Sequence, residues 1–255
     1  MTDMDALPDE IMTITASRIL DNGKVMFAGI GQPLLAAALA RRRQAPDLTV
    51  ILEGGMVGIQ LEPGQFPAST NEMRAAVGAE MITNASDIFM MAQRGLFDYG
   101  FLGVAQIDAY GNVNTSIIGD PKQPDVRLPG PGGGNDIISM CNETLIVTNH
   151  EPRRFVEKVD FVTSPGYLSG GTARADAGLI FGGPSWVVTD LALMDFDPKS
   201  HRMRLHSLQS GVSIEQVQVA TGFELLVPEQ VPTLAPVTIE ELKQLRVLTG
   251  HGADA

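Results

Sequence analysis

Residues 24–55 read KVMFAGIGQPLLAAALARRRQAPDLTVILEGG, and this stretch decides the fold. Lys24 to Ile30 is a short apolar run of strand formers, and Gly31-Gln32-Pro33 turns the chain. Residues 33–43 are rich in alanine and leucine, with Pro33 suited to a first helical turn and Arg41, Arg42 and Arg43 suited to a last one. After Ala45-Pro46-Asp47, the run LTVIL makes a second buried strand that stops at Glu53-Gly54-Gly55. Strand, helix and strand in that order form a βαβ unit, which implies parallel strands with helices on their faces.

Before this unit, residues 7–21 place Ile11, Ile14, Ser17 and Leu20 near one helical face, with Asp9 and Glu10 in the first turn and Asn22-Gly23 as a stop. After it, residues 56–70 read as irregular, and helices are expected over 71–81 and 86–94. Strands follow near 99–102 and on both sides of a turn at 109–112, then a loop rich in glycine and proline, LPGPGGGND. Further strands are expected at 144–148, 160–162 and 186–188, then a hairpin turning at 197–200. Thr238 with Glu241 three residues on is a capping box that opens a last amphipathic helix, and residues 249–255 read as a frayed tail. The predicted class is α/β: an open, mainly parallel sheet flanked by helices with additional antiparallel strands, in a single domain over 1–255.

Composition excludes several classes of function. Thirty acidic against eighteen basic residues give a net charge of −12, which repels nucleic acid. The apolar runs are broken well short of the roughly 20 residues a membrane span needs, and the opening MTDMDALPDE is acidic rather than basic, so neither a signal peptide nor an anchor is expected. One cysteine, Cys141, has no disulfide partner within the chain and reads as a buried structural thiol, so the cytoplasm is the expected compartment. Four histidines without metal-ligand spacing predict no metal site.

Glu53 is the sharpest candidate for chemistry. A charged residue directly after four strand formers sits where open α/β sheets bind ligands, and Gly54 and Gly55 let a bulky ligand approach the backbone. On this pattern alone, a solvated glutamate in a tight turn is the commoner case. Gly29, Gly31 and Gln32 lie at the end of the neighbouring strand, before a helix N-terminus, but Leu34 and Pro33 break the dinucleotide fingerprint. The segment 130–136 is denser in glycine than a connection requires, as an anion nest or oxyanion hole would be, or a surface loop. Asn112 and Asn114 are candidate amide donors, while Gly111-Asn112 is equally a turn signal.

Taken in order, GIGQPLLAAALARR, APDLTVILEGG, GVAQIDAYGNVNTSIIGD, GPGGGND, HEPRRFVEKVDFVTSPG and VVTDLALMDFD resemble the β subunit of glutaconate CoA-transferase and its relatives, the heteromeric family I coenzyme A transferases. The resemblance runs from about residue 10 to about residue 228 and implies an open α/β fold. In that family the catalytic glutamate lies in an E-x-G motif, which Glu53-Gly54-Gly55 matches. Relatives commonly carry serine where this chain has Gly54, which implies a wider pocket here. Gly132 and Gly133 match the segment that faces the acyl-CoA. The resemblance further implies coenzyme A thioesters as substrates with no bound cofactor, a partner α subunit, and assembly to a heterotetramer or larger. It implies transfer of CoA between an acyl-CoA and an acid, such as a dicarboxylate, through a glutamyl-CoA thioester. An acyl-CoA hydrolase, ring-cleaving or decarboxylating enzyme on the same heteromeric scaffold is the alternative, and a non-catalytic metabolite-binding module a remoter one. Retention of Glu53 argues for the transferase.

Overall fold

The structure, a computed structural model, describes residues 6–64 and 66–250, which gather into two compact units, 6–101 with 236–250 and 102–235. The first unit opens with α1 (Pro8–Ile19), where Pro8 stands in the first turn and the Glu10 carboxylate accepts a hydrogen bond from the Leu7 N–H at 2.9 Å. Burial extends over all of Met12 to Ser17, beyond the single face that the sequence pattern implies. The Thr13 and Ser17 hydroxyls are satisfied by donating to the carbonyls of Asp9 and Ile14, both at 2.7 Å.

The expected βαβ unit is formed by β1 (Val25–Phe27), α2 (Gln32–Arg42) and β2 (Thr49–Ile51). Its strands are parallel, with Val25 opposite Thr49 and Phe27 opposite Ile51. Phe27 anchors the core beneath it, its ring 5.3 Å from Phe97 and 5.9 Å from Phe89. Beyond Ile51 the chain doubles back into β3 (Met56–Val57), where the sequence reads as irregular, and β3 pairs antiparallel with β4 (Met81–Ile82). Instead of a helix over 71–81 there is only a 3-10 turn at Met73–Ala76, ended before Gly78, whose φ of +72° is incompatible with helix. Next come α3 (Ala85–Gln93), whose cap Asn84 accepts from the Asp87 N–H at 3.0 Å, and β5 (Tyr99–Gly103). The strand order is β5-β1-β2-β3-β4, with the parallel pairs on β1.

The second unit carries β6 (Gln106–Ile107), β7 (Val113–Asn114), β8 (Ile117–Asp120), β9 (Gln123–Arg127), α4 (Gly134–Met140), β10 (Glu143–Val147), α5 (Ala173–Asp176), β11 (Pro184–Val188), β12 (Ala192–Phe196), β13 (Met203–Leu208) and α6 (Ile214–Val219). Strands β6 and β7 and strands β8 and β9 form two small antiparallel sheets. Parallel β10 and β11 continue into antiparallel β12 and β13. The turn expected at 197–200 is closed by Asp197, which accepts from the Ser200 N–H and hydroxyl at 2.7 Å. No strand forms at 160–162; Asp160 instead accepts from the Gln106 side chain at 2.9 Å and the Gly119 N–H at 3.0 Å.

The chain then returns to the first unit as α7 (Ile239–Leu248), with the capping box of Thr238 and Glu241 in place. Glu241 is buried, which opposes its charge, but Arg18 at 2.7 Å and the Thr238 N–H and hydroxyl hold its carboxyl down at about 2. Thr249 and Gly250 close the helix end through the carbonyls of Leu245 and Val247. Of the tail expected to fray, residues 251–255 lie outside the described residues, as do the opening residues 1–5. Among the described residues, no helix is long and apolar enough to cross a membrane.

His150 is buried in the second unit, stacked on Phe155, with Thr189 Oγ1 3.0 Å from Nδ1 and Thr221 Oγ1 2.9 Å from Nε2. Burial lowers its pKa from 6.5 to about 4, so the folded protein holds it neutral. The unfolded chain binds this proton first as pH falls, so the contribution of neutral His150 is complete above about pH 6.5 and is lost towards pH 4. Thermal unfolding between pH 7.5 and 4.5 should therefore show a falling midpoint, and His150→Gln should start lower and fall less steeply over that range. Equal slopes for the two proteins would rule out this linkage.

Candidate active site

The register of β1 and β2 brings together the two turns singled out in the sequence. Phe27 and Ile51 are paired, and the Ala28 N–H donates to the Ile51 carbonyl at 3.0 Å. Gly29, Gly31 and Gln32 therefore leave one strand end beside the end from which Glu53, Gly54 and Gly55 leave the other. Neighbouring strands lie about 4.8 Å apart, so both turns share one edge, at the carboxyl ends of parallel strands.

Glu53 and Gly54 are the central residues of the turn joining β2 to β3. The Gly55 N–H donates to the Leu52 carbonyl at 3.1 Å, and the Leu52 N–H to the Met56 carbonyl at 2.9 Å. Gly55 has φ +107°, a backbone region open to glycine, which lets the hairpin close with one residue bulged. The Glu53 side chain is half-buried, and its carboxylate makes no hydrogen bond or ion pair among the described residues.

Two segments distant in sequence grip this turn through its glycines. A Cβ on Gly54 would stand 2.6 Å from Asn71 Oδ1 and 2.9 Å from Asn71 Cα, and closer still to the Thr70 carbonyl oxygen. A Cβ on Gly55 would overlap the Thr83 carbonyl, whose carbon lies 2.7 Å from that position. The Thr83 N–H donates to the Gly55 carbonyl at 2.8 Å, and its hydroxyl donates to Asp87 in the first turn of α3. Gly54 therefore does not widen a pocket, contrary to what the family resemblance implies: the room a serine would occupy is filled by Thr70 and Asn71. Neither segment leaves a signal in the sequence, because the contacts join residues 16 to 28 positions apart.

Gly31 opens α2 with φ +81°, and together with Gln32 it lines a groove of about 610 Å³ with Leu7, Thr13, Leu35 and Leu245. Glu53 is not among the lining residues of that groove.

Asn114, Gly132 and Gly133 belong to the second unit. Asn114 is fully buried, and its amide donates to Gln106 Oε1 at 2.7 Å and the Ile117 carbonyl at 2.6 Å. Its oxygen accepts from the N–H groups of Ser116 and Ile117 at 3.0 and 3.2 Å, so this side chain holds the scaffold and keeps no donor for a ligand. Asn112 is engaged likewise by Asp108 and Leu168. The glycine segment is fastened on one side by Thr115, bonded both ways to Gly130, and on the other by α4, whose cap is Gly133. Between them Gly132 is exposed, at φ +50°, with open space where a side chain would stand.

Competing nucleophiles and cation sites are occupied by structure. Burial pushes the Cys141 thiol up to about 12, far from a reactive thiolate. Arg154 donates to the Val104 carbonyl at 2.7 Å, and Arg153 pairs with Glu151. Buried Arg174 donates to the carbonyls of Ile138, Pro165, Gly166 and Phe181. No cluster of His, Cys, Asp or Glu among the described residues has the arrangement to hold a metal ion.

The grip on Gly55 makes a quantitative expectation. Gly55→Ala combines an unfavourable φ with overlap on Thr83 and should cost roughly 2 kcal/mol or more. Gly23→Ala, at φ +70° with nothing near its Cβ, carries the conformational part alone, about 1–2 kcal/mol. Thermal melts should therefore rank wild type above Gly23→Ala and Gly23→Ala above Gly55→Ala; the reverse order of the two variants would refute the contact.

Comparison with known proteins places this geometry. Residues 10–220 match the family described as coenzyme A transferase. The chain is 41% identical to the β subunit of 3-oxoadipate CoA-transferase from Pseudomonas knackmussii, over 97% of this chain and 95% of that one. It is 37% identical to the β subunit of glutaconate CoA-transferase from Acidaminococcus fermentans, over 89% and 86% of the two chains. The crystal structure of glutaconate coenzyme A-transferase from Acidaminococcus fermentans superposes with a TM-score of 0.90 at 33% identity, over 98% of this chain and 97% of that one. The parallel strands flanked by helices, the small antiparallel sheets and these matches together establish that this chain belongs to the coenzyme A transferase family.

Proposed function

We propose that this chain is the subunit of a heteromeric CoA-transferase that supplies the catalytic carboxylate, and that Glu53 is that carboxylate. The observation that carries the reading is a half-buried glutamate without an ion-pair partner among the described residues, fixed on a turn at the carboxyl ends of parallel strands by two glycine contacts. A carboxylate acting as nucleophile needs positioning and partial desolvation rather than a general base.

The reaction begins when a Glu53 carboxylate oxygen attacks the thioester carbonyl of an acyl-CoA. The carbon–sulfur bond breaks, leaving an acyl-glutamyl anhydride and CoA thiolate. Attack of the thiolate on the glutamyl carbonyl forms a glutamyl-CoA thioester and releases the donor acid as its carboxylate. An acceptor carboxylate then reverses both steps. Anhydride and thioester conserve the activation of the original bond, so the cycle needs no redox step. We assign the N–H groups of Gly29 and Gly31 to the developing oxyanions.

The two relatives are named for glutaconate and 3-oxoadipate, both short dicarboxylates, and we assign the acid substrate to that class. Both are by name one of two kinds of subunit, which supports a partner α subunit here and a heterotetrameric or larger assembly. Net charge supports the same division of labour. At −12, with many of its arginines already paired or bonded to carbonyls, this chain offers few cations to the phosphates of CoA. The partner supplies the rest of that site, in the cytoplasm where acyl-CoA is made and used.

Loading the complex with acyl-CoA and treating it with borohydride or hydroxylamine should modify Glu53 in the peptide recovered after digestion. Glu53→Gln should reduce transfer to background with an unchanged melting temperature, and the isolated wild-type chain should be inactive. An active complex whose Glu53 stays unmodified would overturn the assignment. Release of free CoA without any acceptor acid would instead make the protein a hydrolase.

A further inference from the structure

We infer that Asn71 determines specificity for the acid substrate, donating a side-chain hydrogen bond to a carboxylate oxygen of the acid beside Glu53. This inference rests on the transferase reading and adds to it a residue outside the sequence motif. Asn71 lies against the reactive turn itself: its Oδ1 is 2.6 Å, and its Cα 2.9 Å, from where a Gly54 side chain would begin. It is exposed, and its carboxamide takes part in no hydrogen bond among the described residues, whereas its backbone N–H is held by Ser69 Oγ at 3.3 Å.

The segment that presents Asn71 is organised independently of any ligand. The Glu72 carboxylate accepts from the Ala68 N–H at 2.6 Å and pairs with Arg74 at 2.9 Å, while the Glu72 N–H donates to the Ser69 carbonyl at 3.1 Å. Glu72 thereby closes a loop around Asn71 and sets its backbone on Gly54, so the point from which the amide extends is fixed before substrate arrives. Pre-organisation of this kind reduces what a ligand loses on being ordered.

The chemistry of the reaction explains why a neutral donor belongs there. The acid arrives as an anion at a chain of net charge −12 and beside the Glu53 side chain, so it needs a compensating donor. An arginine or lysine in that place would pair with Glu53 itself and blunt the nucleophile. An amide donates to the incoming carboxylate without neutralising its neighbour, and the nearby cation, Arg74, is already engaged by Glu72.

The test uses the complete complex with its partner subunit and compares wild type with Asn71→Ala and Asn71→Asp. Steady-state kinetics would be measured against a short dicarboxylic acid and against its CoA thioester, alongside trapping of the Glu53 adduct from the thioester alone. Loss of one hydrogen bond to a charged oxygen should raise KM for the acid about tenfold or more in Asn71→Ala. Asn71→Asp, which sets like charge against the acid, should raise it further. KM for the thioester and the yield of trapped adduct should stay near wild type in both variants. Unchanged KM for the acid in an active complex would overturn the inference while leaving Glu53 as the nucleophile. Loss of the trapped adduct in Asn71→Ala would overturn it too, by showing that Asn71 merely supports the turn. A wild-type complex that forms no Glu53 adduct would remove this inference together with the reading beneath it.

Discussion

Close approach of backbone to backbone at Gly54 and Gly55 is the constraint on which the candidate site depends. A carboxylate at a strand end is ordinarily mobile, because the chain beyond it is free to choose among turns. Here the turn after β2 meets Thr70 and Asn71 on one glycine and Thr83 on the next, at separations that no side chain tolerates. The cost is the conformational freedom of two glycines and a residue at φ +107°. The return is a side chain whose backbone is fixed by segments outside its own hairpin, the condition that attack on a carbonyl at bonding distance demands.

The parallel register of β1 and β2 is the second determinant. Because Phe27 pairs with Ile51, both connecting turns begin at the same level of the sheet, and Gly29 and Gly31 stand beside Glu53 without any direct bond between them. Beneath them, the aromatic cluster of Phe27, Phe89 and Phe97 supports the strand ends, and α2 covers the unit with buried alanines that allow α1 and α7 to pack against it. The ion pairs of Arg18 with Glu241 and Arg246 with Glu10 tie α7 to α1.

The second unit shows why shifted ionisation is not by itself a sign of chemistry. His150, Arg174 and Cys141 all depart from ordinary values, and burial is the leading cause in each case. Each fits a structural role: two threonine hydroxyls flank the imidazole, four carbonyls surround the guanidinium, and the thiol is fully buried. Glu53 differs in having a precise backbone setting and an uncommitted carboxylate. Function is written there in geometry and availability.

By itself the sequence determined the βαβ unit, the capped helices, the hairpin at Asp197 and the placement of Glu53 at a strand end, since periodicity, caps and turn residues act over a few neighbouring positions. Tertiary structure alone decided that Asn114 is a scaffold amide, that the glycine loop runs into α4, and that a short 3-10 turn at Met73–Ala76 stands where a helix over 71–81 is expected. It also decided which partners grip the turn that carries Glu53: Asn71 meets Gly54 across 17 positions and Thr83 meets Gly55 across 28, and nothing local in either segment encodes that meeting. A glycine in the sequence announces that some close approach is permitted, but only the folded chain shows what comes close.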